Sequence, residues 1–471
     1  MTQSQRGVGG FALFYPLNYP STSLRKKLKT SFIIRFFQIQ ARTKRKCVKN
    51  FNLNSGKINI SRSISKGLNM PRVVITGLGL VIANGIGVKN AWDALVNGKD
   101  GTGEAKSFDT SKYRVHRVCE VKDFKIDTIF ENETMANTIH KYTYSAAKEA
   151  LEDSGLNDIT RYDSERFGIA IGTLAGELPP FEYLLRHAPE DKANGFDMGV
   201  ALTYPPSSIT TLLSEDFGFE GPNMVSLNAC SSGNHAIAWA FDLLSEGKVD
   251  VMLVGGGELI PQTEFTHFHN LKALAPERCQ PFDKNRKGLI IGEGAGIMVM
   301  ESLDFASKRN ANIYAELKSY GMSCDGHHMT APHPEGAGAI KAMLDALSAS
   351  KISYKDIDYI NAHGTGTPLN DKMETLAIKS VFKERAKEIP VSSIKSMIGH
   401  TMGAASAIES VVSCLAIKNN AVSPTIHYET PDPECDLDYV PNEGRELEVN
   451  CVLNNSFAFG GNNVTNIFSK I

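Results

Sequence analysis

What this chain lacks narrows its chemistry. No run of about 18 apolar residues occurs, so no membrane-spanning helix is expected. The longest candidate near the start, Phe32 to Phe37, is short and carries Arg35. The eight cysteines are scattered, with no Cys-x-x-Cys pair, which suits unpaired thiols in a reducing compartment. Gly77-Leu-Gly79-Leu80 follows a strand-like run, but a dinucleotide fingerprint would need glycine where Ile82 stands. Gly292-Glu-Gly-Ala-Gly296 lacks the Gly-Lys-Ser/Thr ending of a phosphate-binding loop. Tight backbone packing is the better account of those glycines. His327, His328 and His333 lie together without nearby Cys or paired carboxylates. They read as a surface or tunnel-lining loop, and no metal site is expected.

Charge is unevenly spread. Residues 1–69 hold 14 Lys and Arg and no Asp or Glu, which leaves 36 basic against 52 acidic residues in the rest of the 471. An acidic body argues against nucleic acid as the main ligand. The basic segment has few regularly spaced apolar positions and is expected to be disordered. It reads as a transit-like extension or as a stretch outside the mature protein, with folding starting at Met70; a basic arm for an anionic partner is a further reading. A cytoplasmic location is expected, or a mitochondrion or plastid if the segment is a genuine transit peptide. The whole chain, 42% hydrophobic and 22% charged, has the balance of a globular protein.

Strands and helices alternate through the chain after residues 1–69. Arg72 to Thr76 reads as a strand, Ala91 to Asn97 as a helix ending at Gly98, and Lys141 to Ser154 as an amphipathic helix stopped by Gly155. Phe167 to Ile171, Val249 to Val254 and Ile297 to Glu301 read as strands. The pattern indicates an α/β fold. At its centre stands Leu227-Asn-Ala-Cys230-Ser-Ser-Gly233. Met224 to Ala229 reads as a buried strand, and Asn234 to Glu246 as a helix apolar almost all round. Cys230 then sits on a tight strand-to-helix turn. The positive helix end and free N–H groups there favour thiolate over thiol. A nucleophile and a small buried core residue are both consistent with this stretch.

Three further strand ends carry polar groups. Ile357 to Ala362 delivers His363-Gly-Thr-Gly-Thr367. Val391 to Ile394 delivers Lys395, with His400 shortly after. Val452 to Phe457 delivers Ala458-Phe459-Gly-Gly461. Polar groups at several strand ends of an α/β sheet converge on one crevice. A Cys with two His can run acyl transfer: the thiolate attacks a thioester and holds the acyl group. Both imidazoles can donate from Nε2 to a developing enolate oxygen, such as the one left when a malonyl thioester loses CO2. Backbone N–H groups of Cys230 and the Phe459 loop can form an oxyanion hole.

With these motifs in view, residues 71–471 resemble the β-ketoacyl-[acyl-carrier-protein] synthases, elongating condensing enzymes of the thiolase-like superfamily, and most of all the synthase II branch. The resemblance rests on Ala229-Cys-Ser-Ser-Gly233, the His363 turn, Lys395-Ser-Met-Ile-Gly-His400-Thr-Met-Gly-Ala-Ala, and Asn455-Ser-Phe-Ala-Phe459-Gly-Gly-Asn. Tyr314-Ala-Glu-Leu to Cys324-Asp-Gly-His-His-Met-Thr adds to it. It implies an α/β, duplicated thiolase-like five-layer αβαβα fold. The half carrying the nucleophilic Cys would span 70–318, and the half carrying both His would span 319–471, meeting near Lys318. It also implies a homodimer burying the strand before Cys230.

By motif position Cys230 is the acyl-accepting nucleophile, and His363 and His400 serve decarboxylation and enolate stabilisation. Asp371 and Glu374 fall where the family keeps acidic residues. Lys395 is expected to pair with Glu374 and order the site without reacting. Thr365 and Thr367 fit positions that hydrogen-bond the pantetheine arm. Phe459 fits the gate between the malonyl site and the acyl pocket. No resident cofactor is implied, since the substrate rides on the phosphopantetheine of an acyl carrier protein, the expected partner. Membrane and nucleic acid are not expected partners.

Departures from the family pattern are Ala458 where Gly is usual, Asn462 where Thr is usual, Asn228 for Thr and Ser406 for Gly. They bear on acyl-chain preference and on whether the product is a fatty acid or a polyketide-like chain. A thiolase acting on ketoacyl-CoA is the rival enzyme. Thiolases use a second Cys near the C-terminus as acid/base, whereas Cys451 stands before its strand, outside any Gly-rich turn.

Overall fold

A computed structural model describes residues 71–124, 138–179, 181–182 and 203–471. The readings placed on residues 1–69, Phe32 to Phe37 among them, lie outside these. In chain order the elements that position the site are β1 (Val73–Ile82), α1 (Thr138–Ser154), β2 (Phe167–Gly172), β3 (Asn223–Ser226), α2 (Ser232–Ser245), β4 (Val251–Glu258), α3 (Gln262–Asn270) and β5 (Gly294–Ser302). They continue as β6 (Ala315–Cys324), α4 (Ala337–Ser350), β7 (Tyr359–Asn361), α5 (Pro368–Phe382), β8 (Val391–Ser392), α6 (Met402–Asn419), β9 (Cys451–Phe457) and β10 (Asn462–Ser469). The helix expected at Ala91 to Asn97 is Val88–Val96.

One connected sheet runs β8-β7-β9-β10-β6-β1-β5-β4-β2-β3. It is two copies of one pattern. In each half the first strand pairs antiparallel with the last, the last pairs antiparallel with the fourth, and the fourth, second and third run parallel. Within the sheet, among the described residues, the halves join where Val73–Ile75 of β1 meets Ala315–Leu317 of β6. Lys318 therefore lies inside β6. α2 and α6 touch strands of both halves and form the middle layer; α1 covers the first half outside, and α4 with α5 covers the second. That makes five layers. The middle layer is the main core, with Ile237, Leu244, Ile408 and Val412 fully buried between the halves.

Glycine sets how closely the layers approach. A Cβ on Gly77 or Gly79 would lie 2.0 or 1.8 Å from the carbonyl oxygens of Ala150 or Ala146 on α1. Those glycines let helix and strand touch. Gly292 and Gly296 do the same against Ile398 and Ile408.

Candidate active site

The nucleophile turn is sharper than the sequence suggests. β3 stops at Ser226, short of the expected Ala229, and a single 3-10 turn, Ala229–Ser231, leads into α2. Ala229 takes φ 51°, a left-handed torsion that costs an L-residue roughly 1 kcal/mol. Ser232 Oγ accepts from the Asn228 N–H at 2.8 Å and donates to the Ala229 carbonyl at 2.6 Å. Ser456 Oγ donates to the Cys230 carbonyl at 3.1 Å. Bonds from both sides thus hold the strained turn. Gly233 is required where α2 meets α6, since a Cβ there would lie 2.7 Å from the Ala407 backbone.

His363 follows β7, and His400 stands just before α6, tied to the Ile290 carbonyl by its own N–H at 2.7 Å. Cys230 Sγ and one ring nitrogen from each of His363 and His400 lie within 4.8 Å of one another, all buried. The rings are 5.4 Å apart and nearly perpendicular. Lys395 Nζ donates to His363 Nδ1 at 3.4 Å, and the Met402 N–H donates to His400 Nδ1 at 3.2 Å. An ammonium and a backbone N–H can only donate, so both Nδ1 atoms accept and both protons sit on Nε2. Burial first, then the Lys395 charge and the neighbouring His400 ring, holds His363 well below the ordinary histidine value; burial and Lys395 do the same for His400. Both rings are therefore neutral donors at neutral pH. The same polarity makes a poor metal site. A metal on Nε2 would push each proton to Nδ1, against a donor, whereas ligating histidines normally give that proton to an acceptor.

Two expectations are corrected here. Lys395 pairs with Glu409 of α6, not with Glu374; both partners are 1% exposed. Glu374 spends its two oxygens on the N–H groups of His363 and Gly364, at 2.8 Å each, and burial pushes it up to about 7. Asp371 likewise accepts from Phe282 N–H at 2.7 Å and Gly366 N–H at 3.2 Å. The two acids shape the His363 turn and do not reach the reacting atoms. Glu409 escaped the sequence reading. Its one signal was a lone acid within the apolar and small residues of Met402 to Ile417.

The second correction concerns the thiol. Burial pushes Cys230 up to about 12, outweighing the nearby Lys395 charge, while the Glu264 carboxyl also raises it. The N–H groups of Phe459 and of Cys230 itself reach the sulfur and act the other way. The resting nucleophile is a thiol, because desolvation of a buried thiolate exceeds what one helix end returns.

These groups open on a cavity of about 290 Å³ that Thr365, Thr367 and Phe459 also line. The Thr365 and Thr367 hydroxyls bond each other at 2.8 Å. Phe459 leads a tight turn in which Gly460 and Gly461 take φ 81° and 77°. Ala458 sits at φ −102°, ψ 158°, an extended conformation open to any residue. Asn228 bonds Ser226 Oγ through its side chain, and Ser406 Oγ accepts from the Asn234 N–H, so neither touches the reacting groups. Cys451 opens β9, buried. His327 and His333 meet edge-on at 5.1 Å, and the intervening Thr330, Ala331 and Pro332 line the cavity.

Known proteins share this arrangement. Residues 70–306 match the beta-ketoacyl synthase N-terminal domain and residues 314–429 its C-terminal domain. The chain belongs to the β-ketoacyl synthase family and has its duplicated thiolase-like fold. It is 40% identical over 407 residues to the 3-oxoacyl-[acyl-carrier-protein] synthase 2 of Staphylococcus aureus (strain COL), covering 85% of this chain and 98% of that one. It is 39% identical over 413 residues to the protein of that name from Coxiella burnetii, covering 85% and 99%. Among solved structures, the ishigamide ketosynthase/chain length factor superposes with a TM-score of 0.81 at 34% identity, covering 85% of this chain and 100% of that one. A type II polyketide synthase acyl-carrier protein in complex with its ketosynthase bound to the hexaketide gives 0.79 at 32%, covering 85% and 99%.

Proposed function

We propose that this chain is a condensing enzyme that joins an acyl thioester to malonyl-[acyl-carrier protein] with loss of CO2, lengthening the chain by two carbons as in fatty acid biosynthesis. One observation carries the reading: Cys230 Sγ faces two neutral imidazoles whose Nδ1 atoms are both held as acceptors. In the first half-reaction the Cys230 sulfur takes the acyl group, and its proton leaves on the departing carrier thiol. In the second, the C–C bond to the malonyl carboxylate breaks, CO2 departs, and the electron pair becomes an enolate. The Nε2–H groups of His363 and His400 donate to the enolate oxygen. The enolate carbon attacks the Cys-bound carbonyl, whose oxyanion meets the N–H groups of Cys230 and Phe459. Collapse expels the Cys230 thiolate and frees the 3-oxoacyl carrier, and the thiolate takes a proton from solvent to restore the resting thiol. Atoms and electrons balance without a resident cofactor.

The partner is an acyl carrier protein. A homodimer is part of the same reading, because β3 is an edge strand, paired only with β2 among the described residues, and Leu227 beside it is 54% exposed. Sedimentation tests that part. A ketosynthase of a polyketide-like pathway is the second reading, favoured by the structural neighbour from a type II polyketide synthase. The deciding experiment incubates the protein with malonyl-carrier protein and acyl carriers of graded length, then identifies products by mass. A single 3-oxoacyl product from each accepted chain supports the first reading, and multiply extended unreduced chains support the second. Absence of both CO2 and 3-oxoacyl product overturns the two together.

A further inference from the structure

α3 carries a group that the condensation does not use. The N–H groups of Gln262 and Thr263 at its start bond Glu182 at 3.0 and 2.8 Å. Its inner face presents Phe265 and Phe268, which join Cys230, Ile260, Met402 and Ala458 in one apolar cluster. Phe268 lines the reaction cavity, with its ring 5.7 Å from that of Phe459. Glu264 stands one helical turn before Phe268, the spacing that puts two side chains on one face. It is 7% exposed, and neither carboxyl oxygen has a hydrogen-bond partner among the described residues.

The neighbouring Glu258 shows what a satisfied carboxyl looks like here. It accepts from the Thr173 hydroxyl and from the N–H groups of Leu174, Ala175 and Gly403. Glu264 has no such loop to hold. Burial, then the Glu258 and Glu182 carboxyls, keeps it well above the usual carboxylate range. It is a carboxylic acid, with one O–H donor and a free carbonyl acceptor. It shares a helix face with Phe268, which lines the cavity and packs in the same apolar cluster as Cys230. An unpartnered buried carboxyl is unfavourable. A ligand that supplies the partner removes that penalty, and a saturated chain cannot.

We propose that Glu264 is a specificity residue of the acyl pocket, hydrogen-bonding an oxygen carried on the acyl chain, so that hydroxylated or oxo-bearing acyl groups are preferred to saturated chains of equal length. This rests on the acyl-transfer reading above. The test measures kcat/KM for saturated acyl carriers and for hydroxyacyl carriers of equal length with the hydroxyl at successive carbons. Wild type, Glu264→Gln, Glu264→Leu and Glu264→Met are compared, the two apolar variants guarding against one failing to fold. In wild type at least one hydroxyacyl carrier is expected to be preferred. That preference falls by about tenfold in the apolar variants, the worth of one hydrogen bond to a buried group. Glu264→Gln, which keeps a donor and an acceptor, retains most of it. Equal preference in all four proteins, with condensation intact, overturns the role of Glu264 and leaves the condensing activity standing. No condensation of any chain by wild type overturns both.

Discussion

Replacing Lys395 by methionine separates the two tasks its ammonium performs. One is electrostatic support of Glu409, whose other oxygen, Oε2, has no hydrogen-bond partner among the described residues. Removing one member of a buried pair costs about 3–5 kcal/mol when the survivor stays charged. Glu409 has an escape, because burial already pushes it up to about 7 despite Lys395. It takes a proton, and the loss shrinks to that of a poorly bonded neutral group, about 1–3 kcal/mol. The second task is to hold the His363 tautomer by donating to Nδ1 at 3.4 Å. Without that donor the ring can carry its proton on Nδ1, and one enolate contact is lost. Removal of one such donor lowers the rate by about 10²–10³-fold. Lys395→Met should therefore lose both stability and CO2 release from malonyl-carrier protein. The double variant Lys395→Met/Glu409→Leu removes the orphaned acid as well. Its denaturation midpoint, followed by the fluorescence of Trp92 and Trp239, should return to within about 1 kcal/mol of wild type. Its decarboxylation should stay low. Recovery of decarboxylation together with stability would show that Lys395 acts only through packing, and the tautomer argument would fall.

Gly461→Ala should disrupt the gate turn, since the new Cβ would lie 2.6 Å from Asp325 Cβ at a residue with φ 77°; pre-steady-state acylation of Cys230 should slow by about tenfold or more. Ala458→Gly, at an extended residue, should leave acylation within about threefold, and equal rates for both variants would refute the placement of the hinge at the glycine pair. Stability should fall as pH rises from about 6.5 to 8. Burial raises Glu293, Glu374 and Glu409 to about 7, so the folded state holds protons that the unfolded chain has released, and that advantage is lost as pH passes through 7. His363 and His400 have lowered values and favour folding as pH rises, but only up to the unfolded histidine value of about 6.5. Above it the carboxyls act alone, and a urea midpoint that climbs from pH 6.5 to 8 would contradict their burial.

Much of this site was legible in the chain because its signals are local. The strand-turn-helix around Cys230, the glycine-rich turns after β7 and β9, and His363 with His400 follow from which residues stand next to one another. The close-packed glycines from Gly292 to Gly296 were readable as well: they lack a phosphate-loop ending, and in the fold Gly292 and Gly296 lie against Ile398 and Ile408. Pairing and desolvation were not readable, because both depend on what arrives from elsewhere in the chain. Lys395 found Glu409, which α6 brings up from the middle layer, while Glu374 was taken by the backbone of the His363 turn. The Cys230 thiol points at a helix start, as its neighbours predict, yet enclosure between both halves raises it to about 12. Only the tertiary structure buried Glu264 without a hydrogen-bond partner among the described residues, while nearby N–H groups bond Glu258 and Glu182. Sequence determines which groups can react; their protonation is decided by the dielectric and the partners that folding places around them.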